Sequence, residues 1–366
     1  MRKQFRSPLV VGLIALVALL VVAPAIALAQ HSGTQDDHSG GIPVFDHVYI
    51  IMMENHSTPD IIGDPNAPYI NSLASTYGFA ANYFGVTHPS FPNYLTATSG
   101  NNWYINFDPS TLQSVDHTNI VDQLEAHHLS WKAYMDAMPA GQPQASTADG
   151  RYIIKHDPFI MYTDIQNNPA RVNNIVPLTQ LSTDLKSGHV PNYVWITPDQ
   201  CNDMHGIGGA NSPCPFSNTQ GDANDQALIH DGDSFVQTWV SAIMHSRAWT
   251  DHSVIFLTWD ENDFAPTPNT EDYINDDGCC DSPILPAGSQ LSTGGIWPGG
   301  VLGGGEIPMI VIGSKDLVKH GFTSNVAYNH YSMLKTIEDS WHLAHIGMTS
   351  DDQQVQSMSD FFRDDD

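Results

Sequence analysis

Four short runs of uninterrupted apolar residues, each followed at once by polar ones, constrain this chain more than any other feature. They are VYIIMM (Val48 to Met53), YVWIT (Tyr193 to Thr197), VIFLT (Val254 to Thr258) and PMIVI (Pro308 to Ile312). An alternating strand keeps one face for water, whereas an unbroken run has none to spare. These segments therefore read as strands buried on both sides, as in parallel sheets covered by helices. Helix-like stretches lie between them: Tyr69 to Tyr77, Phe91 to Thr98, Ile120 to His127, Asp225 to His245 and Tyr331 to Leu343. The alternation predicts a layered α/β fold with a mostly parallel central sheet flanked by helices.

Polar residues gather where such a sheet holds ligands. Glu54-Asn55 follows the first run, Asp199 follows the second by one residue, and Asp260-Glu261 follows the third after Trp259. Loops beyond the carboxyl ends of parallel strands form the ligand edge of an α/β sheet. Glu54, Asn55, Asp260 and Glu261 offer hard oxygen donors suited to a divalent cation. Singly, Glu54-Asn55 reads as a turn cap and Asp260 to Asp263 as a solvated loop; jointly they predict a metal site.

THPSFPNYLTATSG (Thr87 to Gly100) adds a hydroxyl. Pro92 suits a first helical turn, which puts Ser90 where free backbone N–H groups and the helix dipole favour an anion. The competing reading is an ordinary N-cap serine. A metal alongside would make the Ser90 hydroxyl an alkoxide-like nucleophile and Ser90 itself a ligand.

The segments IIMMENHS, THPSFPNYLTATSG, LTWDEND, GGGEIPMIVIGS and YNHYSMLKTIED resemble, in this order, the motifs of the bacterial phosphoesterase family of the alkaline phosphatase superfamily, which includes secreted acid phosphatases and phospholipases C. The resemblance runs from about Phe45 to about Trp341 and implies an alkaline-phosphatase-like layered fold. It implies Ser90 as nucleophile, Asn93 as a phosphate contact, Glu54 with Asn55 and Asp260 with Glu261 as metal pairs, and His330 as the histidine completing the site. His88 is implied as a further phosphate or metal contact. His156 (in KHDPF), Asp203 and His205 are expected to bind phosphate or donate a proton, with His205 and His330 as catalytic groups. The cofactor implied is a divalent metal ion: Mg, Ca, Mn or Zn. Many superfamily members carry Asp-His where this chain has Asp260-Glu261, so one firm metal is expected.

Composition sets the surroundings. Arg2, Lys3 and Arg6, the uncharged stretch Leu9 to Ala29 and the Ala27-Leu28-Ala29 ending read as a signal peptide over residues 1–29, which predicts a secreted or periplasmic protein without stable membrane insertion after cleavage. Residues 30–42 read as a flexible linker, 43–347 as the phosphoesterase catalytic domain and 348–366 as a loose acidic tail. Without Arg2, Lys3 and Arg6 the remaining 10 basic residues face 40 acidic ones. Such a surface repels polyanions, which excludes nucleic acid as a partner. Cys201 and Cys214 bracket a glycine-rich loop and suit a disulfide, whereas Cys279 and Cys280 are adjacent, so a bond between them would be strained and pairing elsewhere or free thiols are alternatives.

The expected activity is hydrolysis of a phosphoric monoester, of acid phosphatase type, through a phosphoserine on Ser90. Its substrate would be a small phosphorylated molecule or a lipid headgroup, phosphoinositide phosphate included. Phospholipase C is the alternative. A sulfatase is excluded because neither Ser90 nor any cysteine begins the required C/S-x-P-x-R pattern. A calcium- or carbohydrate-binding protein explains the acidic loops but not a serine at a proline-led helix start.

Overall fold

Strand register is what turns scattered acidic residues into one site. In the computed structural model, which describes residues 41–209, 211–217, 219–262, 277–291 and 295–363, eight strands form the central sheet. In chain order they are β1 (His47–Met53), β2 (Gly78–Ala80), β3 (Trp131–Met135), β4 (Ile175–Pro177), β5 (Tyr193–Thr197), β6 (Ser253–Trp259), β7 (Met309–Gly313) and β8 (Phe322–Ser324). Their spatial order is β8-β2-β7-β6-β1-β5-β3-β4. Strands β6, β1, β5, β3 and β4 run parallel, as do β8 and β2, while β7 runs antiparallel to both β6 and β2. The PMIVI run is thus a buried strand of opposite direction, because unbroken hydrophobicity reports burial on both faces and is silent about polarity.

Every residue of β5, β6 and β7 and all but the first of β1 are buried. Removing each such Val, Ile or Leu side chain from water stabilises the fold by about 1.5–3 kcal/mol before chain entropy is charged against it. Helices cover the sheet: α1 (Pro68–Thr76), α2 (Ser90–Ser99), α3 (Ile120–Ala126), α4 (Thr179–Ser187), α5 (Ala223–Met244) and α6 (His330–Ser340). Helix α1 packs on α5, and α2 packs on α6. No helix among the described residues is long and apolar enough to cross a membrane.

The expected loose tail is not loose as far as it is described. Val355, Met358, Phe361 and Phe362 are buried, and Phe362 packs on Phe45 with ring centroids 5.2 Å apart. Asp360 accepts hydrogen bonds from the Ser324 and Tyr328 hydroxyls, tying residues 348–363 to the main body. The acidic residues of this stretch masked its four apolar anchors. The proposed signal peptide, most of the linker, Asp263 and Asp276 lie outside the described residues.

Cys201 and Cys214 are bonded, as their loop suggests, and so are Cys279 and Cys280. The adjacent pair therefore neither pairs elsewhere nor carries free thiols. Its turn is stitched to α6, since Asn329 Nδ2 donates to the carbonyls of both Cys279 and Cys280 at 3.1 Å.

Candidate active site

Parallel pairing sets Met53 opposite Trp259, so the next residues, Glu54 and Asp260, emerge side by side at one edge of the sheet. The Asp260 N–H donates to the Met53 carbonyl at 3.0 Å, and the Glu54 N–H donates to the Asp203 carbonyl beyond β5 at 2.9 Å. Asp203 thus joins the edge, whereas Asp199 turns away to an ion pair with Arg151 at 2.5 Å. Asn55 contributes its backbone: at φ 50 its N–H donates to Asp260 Oδ1 at 3.2 Å, and its side chain makes no hydrogen bond among the described residues.

Because β7 is antiparallel, the segment that enters it, Gly303 to Pro308, lies at this same edge. Gly304 donates to the Gly85 carbonyl and Gly85 to the Gly305 carbonyl, both at 2.9 Å. The approach is so close that a Cβ on Gly85 would stand 2.8 Å from the Asp260 carbonyl oxygen and 2.9 Å from Gly304. This is the physical reason for the triple glycine, and it presses the loop leading to Ser90 against the end of β6.

That loop ends in α2. Pro89, in extended conformation, is the N-cap, and Ser90 is the first helical residue. Pro92, with no N–H to offer, falls in the first turn where one would be unpaired in any case. The Ser90 hydroxyl does not cap its own helix. It lies 3.2 Å from Glu54 Oε2 and 3.1 Å from Glu261 Oε1, receives a hydrogen bond from Lys155 Nζ at 3.3 Å, and the residue is 1% exposed. A hydroxyl has one hydrogen, so it donates to one carboxylate at a time.

The other expected residues divide into those at Ser90's carboxylates and those behind them. His88 Nδ1 is 2.7 Å from Glu261 Oε2, and His156 Nε2 is 2.7 Å from Glu54 Oε1 while its Nδ1 faces Asp203 Oδ2 at 3.5 Å. Tyr94 stacks on His156 and donates its hydroxyl to Glu54 Oε1 at 3.1 Å. Asn93 is committed to its own loop: Oδ1 accepts from the Val86 and Thr87 N–H groups, and Nδ2 donates to the Thr87 carbonyl at 2.6 Å and reaches Glu261 Oε2 at 3.3 Å. These bonds shape the turn before Ser90.

Two histidines are held by backbone carbonyls. His330, fully buried at the start of α6, bonds the Asp260 carbonyl through Nε2 at 2.7 Å and meets the Tyr83 hydroxyl through Nδ1 at 3.2 Å. Burial lowers its pKa to about 4. With both nitrogens engaged, it braces the end of β6. His205 Nδ1 lies 2.7 Å from the Gly206 carbonyl, and burial, then Lys155, lowers its pKa to about 4. Since a carbonyl only accepts, Nδ1 carries the hydrogen and Nε2 presents a lone pair.

Two residues that sequence reasoning missed complete the site. Lys155 arrives on the short turn Ile154–His156, is 8% exposed, and pairs with Asp108 Oδ2 at 2.5 Å besides touching Ser90. Burial works against its charge, but Asp108, Glu54 and Glu261 outweigh burial and raise its pKa. Its place beside His156 in KHDPF is the signal that could have found it; Asp108, in an irregular loop, had none.

The carboxylates do not all ionise together. Burial, then Glu54 and Glu261, pushes Asp260 well above the ordinary range, and burial raises Asp203 to about 7 against the pull of His156. For Glu54, burial is overcome chiefly by His156 and then Lys155, and the group is lowered. No three His, Cys, Asp or Glu side chains converge as a ready-made metal cluster among the described residues. The donor set nonetheless fits a hard divalent cation. Among the described residues Asp260 Oδ2 is buried without a hydrogen-bond partner, and the Glu54 and Asp260 carboxyls share one buried space that a proton or a cation must neutralise.

Fold and site together define an α/β protein of alkaline-phosphatase-like architecture with a buried serine set against strand-end carboxylates. The chain belongs to the Phosphoesterase family, whose profile matches residues 64–344. It is 25% identical over 317 residues to a probable acid phosphatase of Kluyveromyces lactis, covering 85% of this chain and 62% of that protein. It is 26% identical over 264 residues to a phosphatidylinositol-3-phosphatase of Mycobacterium tuberculosis, covering 71% of this chain and 76% of that protein. The chain spans 56–62% of the length of the first three fungal acid phosphatases it matches. Murine ectonucleotide pyrophosphatase / phosphodiesterase 5 shares the fold at a TM-score of 0.50 and 10% identity, over 87% of this chain and 100% of that one.

Proposed function

We propose that this chain is a secreted, metal-dependent phosphoric-monoester hydrolase of acid phosphatase type that acts through a phosphoserine on Ser90. The observation that carries the reading is the Ser90 hydroxyl at the start of a ten-residue helix, held between the Glu54 and Glu261 carboxylates. Ser90 Oγ attacks phosphorus in line and passes its proton toward one of those carboxylates, while the bond from phosphorus to the departing alcohol breaks and the alkoxide takes up the proton that the carboxyl gives back through solvent. Water then attacks the phosphoserine, releasing phosphate and restoring the hydroxyl. A divalent cation held by Glu54, Asp260, Glu261 and Ser90, with Asn55 steadying Asp260 from its backbone, would supply neutralising charge for the phosphoryl oxygens. His88, His156 and Asn93 hold the carboxylates in place, and Asp203 and His205 stand behind His156.

The relatives named as acid phosphatases and as a phosphatidylinositol-3-phosphatase favour a small phosphomonoester, a phosphoinositide headgroup included. Two disulfides and the signal-like amino end favour an oxidising compartment.

The test is release of p-nitrophenol from p-nitrophenyl phosphate and, in parallel, from p-nitrophenylphosphorylcholine, with and without chelator, for the full chain and Ser90→Ala. Hydrolysis of the monoester alone, lost with chelator and in Ser90→Ala, is expected. Preference for the choline diester would move the assignment to phospholipase C, and activity surviving in Ser90→Ala would remove Ser90 as nucleophile.

A further inference from the structure

Lys155 is the one fixed side-chain cation in contact with Ser90 among the described residues, in a chain with 13 lysines and arginines against 40 acidic residues. A phosphomonoester dianion approaching Ser90 meets Glu54, Glu261 and Asp108, so something on this chain must offer it positive charge in addition to any metal. The ammonium of Lys155 is already occupied by Asp108 Oδ2 at 2.5 Å. The other oxygen of the same carboxylate, Asp108 Oδ1, accepts from the Phe91 backbone N–H at 2.9 Å, the amide immediately after Ser90. One carboxylate thus spans two donors that flank the Ser90 hydroxyl, which is where the oxygens of a phosphoryl group on Ser90 would lie. The Asp108 side chain is 29% exposed and sits on an irregular loop, whereas Lys155 is buried and fixed by its turn. Of the two, the aspartate is the partner that can leave.

We propose that Lys155 Nζ and the Phe91 N–H are phosphoryl-oxygen donors of the Ser90 site, and that Asp108 is an internal anion occupying them until the substrate's phosphate displaces it. This rests on the phosphoesterase reading above. Lys155 is then a catalytic residue: its charge meets the phosphoryl oxygens in the bound state and, through the 3.3 Å contact, the charge developing on Ser90 Oγ. Asp108 acts oppositely to the usual acidic residue of such a site, weakening the affinity for phosphate and so easing release of the product.

The experiment measures KM for p-nitrophenyl phosphate, the competitive inhibition constant of inorganic phosphate, and calorimetric binding of inorganic phosphate to the Ser90→Ala protein. Each is read with Lys155→Met, Lys155→Arg and Asp108→Ala. Lys155→Met should weaken phosphate binding about tenfold or more, as loss of a charge-assisted hydrogen bond does, and Lys155→Arg should restore part of it. Asp108→Ala should tighten phosphate binding and lower KM about three- to fivefold, since a partly exposed ion pair no longer competes. In the Lys155→Met background that gain should vanish. Weaker phosphate binding in Asp108→Ala would make Asp108 a mere clamp for Lys155 and overturn the proposal, as would unchanged binding in Lys155→Met. If Lys155→Met does not fold, the Arg and Asp108 arms still decide. Absence of both hydrolysis and phosphate binding in the unaltered protein would instead refute the phosphoesterase reading itself.

Discussion

Glu338 lies on α6, the helix that begins at His330, and its side chain is fully buried. Its Oε1 accepts the Ile346 N–H at 3.1 Å, while Oε2 has no hydrogen-bond partner among the described residues. Burial raises its pKa from 4.5 to about 7, against the opposing pull of Thr349 and His345. A carboxyl whose folded pKa lies above its unfolded one contributes stability that is fully present below about pH 4.5 and is lost as the pH rises through about 7. The difference between the two states amounts to about 3 kcal/mol across that window. Glu338→Gln keeps the shape and the acceptor for Ile346 but removes the ionisation, so it should remove that part of the pH dependence. For a folded unit of this size the corresponding change in midpoint is about 4–5 °C. Calorimetric melting of the unaltered chain and of Glu338→Gln between about pH 4.5 and 8 provides the check: the unaltered chain should lose about that much more than the variant on going to alkaline pH. Parallel curves for the two proteins would refute the reasoning, because a Glu338 that ionises freely cannot be the buried acid described here.

Gly85→Ala should destabilise the fold by about 1–3 kcal/mol, the usual cost of overpacking, and depress turnover further by pushing the Ser90 loop off the end of β6; a urea titration beside initial rates separates the two effects. Asn329 Oδ1 caps α6, accepting from the Tyr331 N–H at 3.0 Å, so Asn329→Ala should cost about 1–2 kcal/mol in denaturant unfolding and shift His330 relative to the Asp260 carbonyl it braces. The Cys201–Cys214 bond closes a loop whose ends are 13 residues apart, and its replacement by two serines should lower stability by about 3 kcal/mol, seen as a lower urea midpoint. Asp203 and His205 lie within that loop, so the same variant should also lose activity.

What the sequence by itself determined is the class of the fold and which polar residues gather at one edge of the sheet. The runs VYIIMM, YVWIT, VIFLT and PMIVI all became buried central strands, because only segments with no polar face can be covered on both sides. Glu54, Asp260 and Glu261 stood out because carboxylates directly after such strands are costly unless they hold something, and Ser90 because a proline-led helix start leaves its hydroxyl beside free amides. The tertiary structure alone decided which atoms meet. Strand direction is invisible in a pattern of burial, so the antiparallel β7, and with it the glycine contact that presses the Ser90 loop into place, could not be read. Asp108 and Lys155 are separated by 47 residues, and their meeting across Ser90 has no local signature. Which group the His330 ring meets likewise depends on packing around α6, which sets its Nε2 against the Asp260 carbonyl. Local periodicity fixes which residues are buried and at which strand ends polar groups emerge; contacts between distant segments are set by register and close packing, which are properties of the assembled chain.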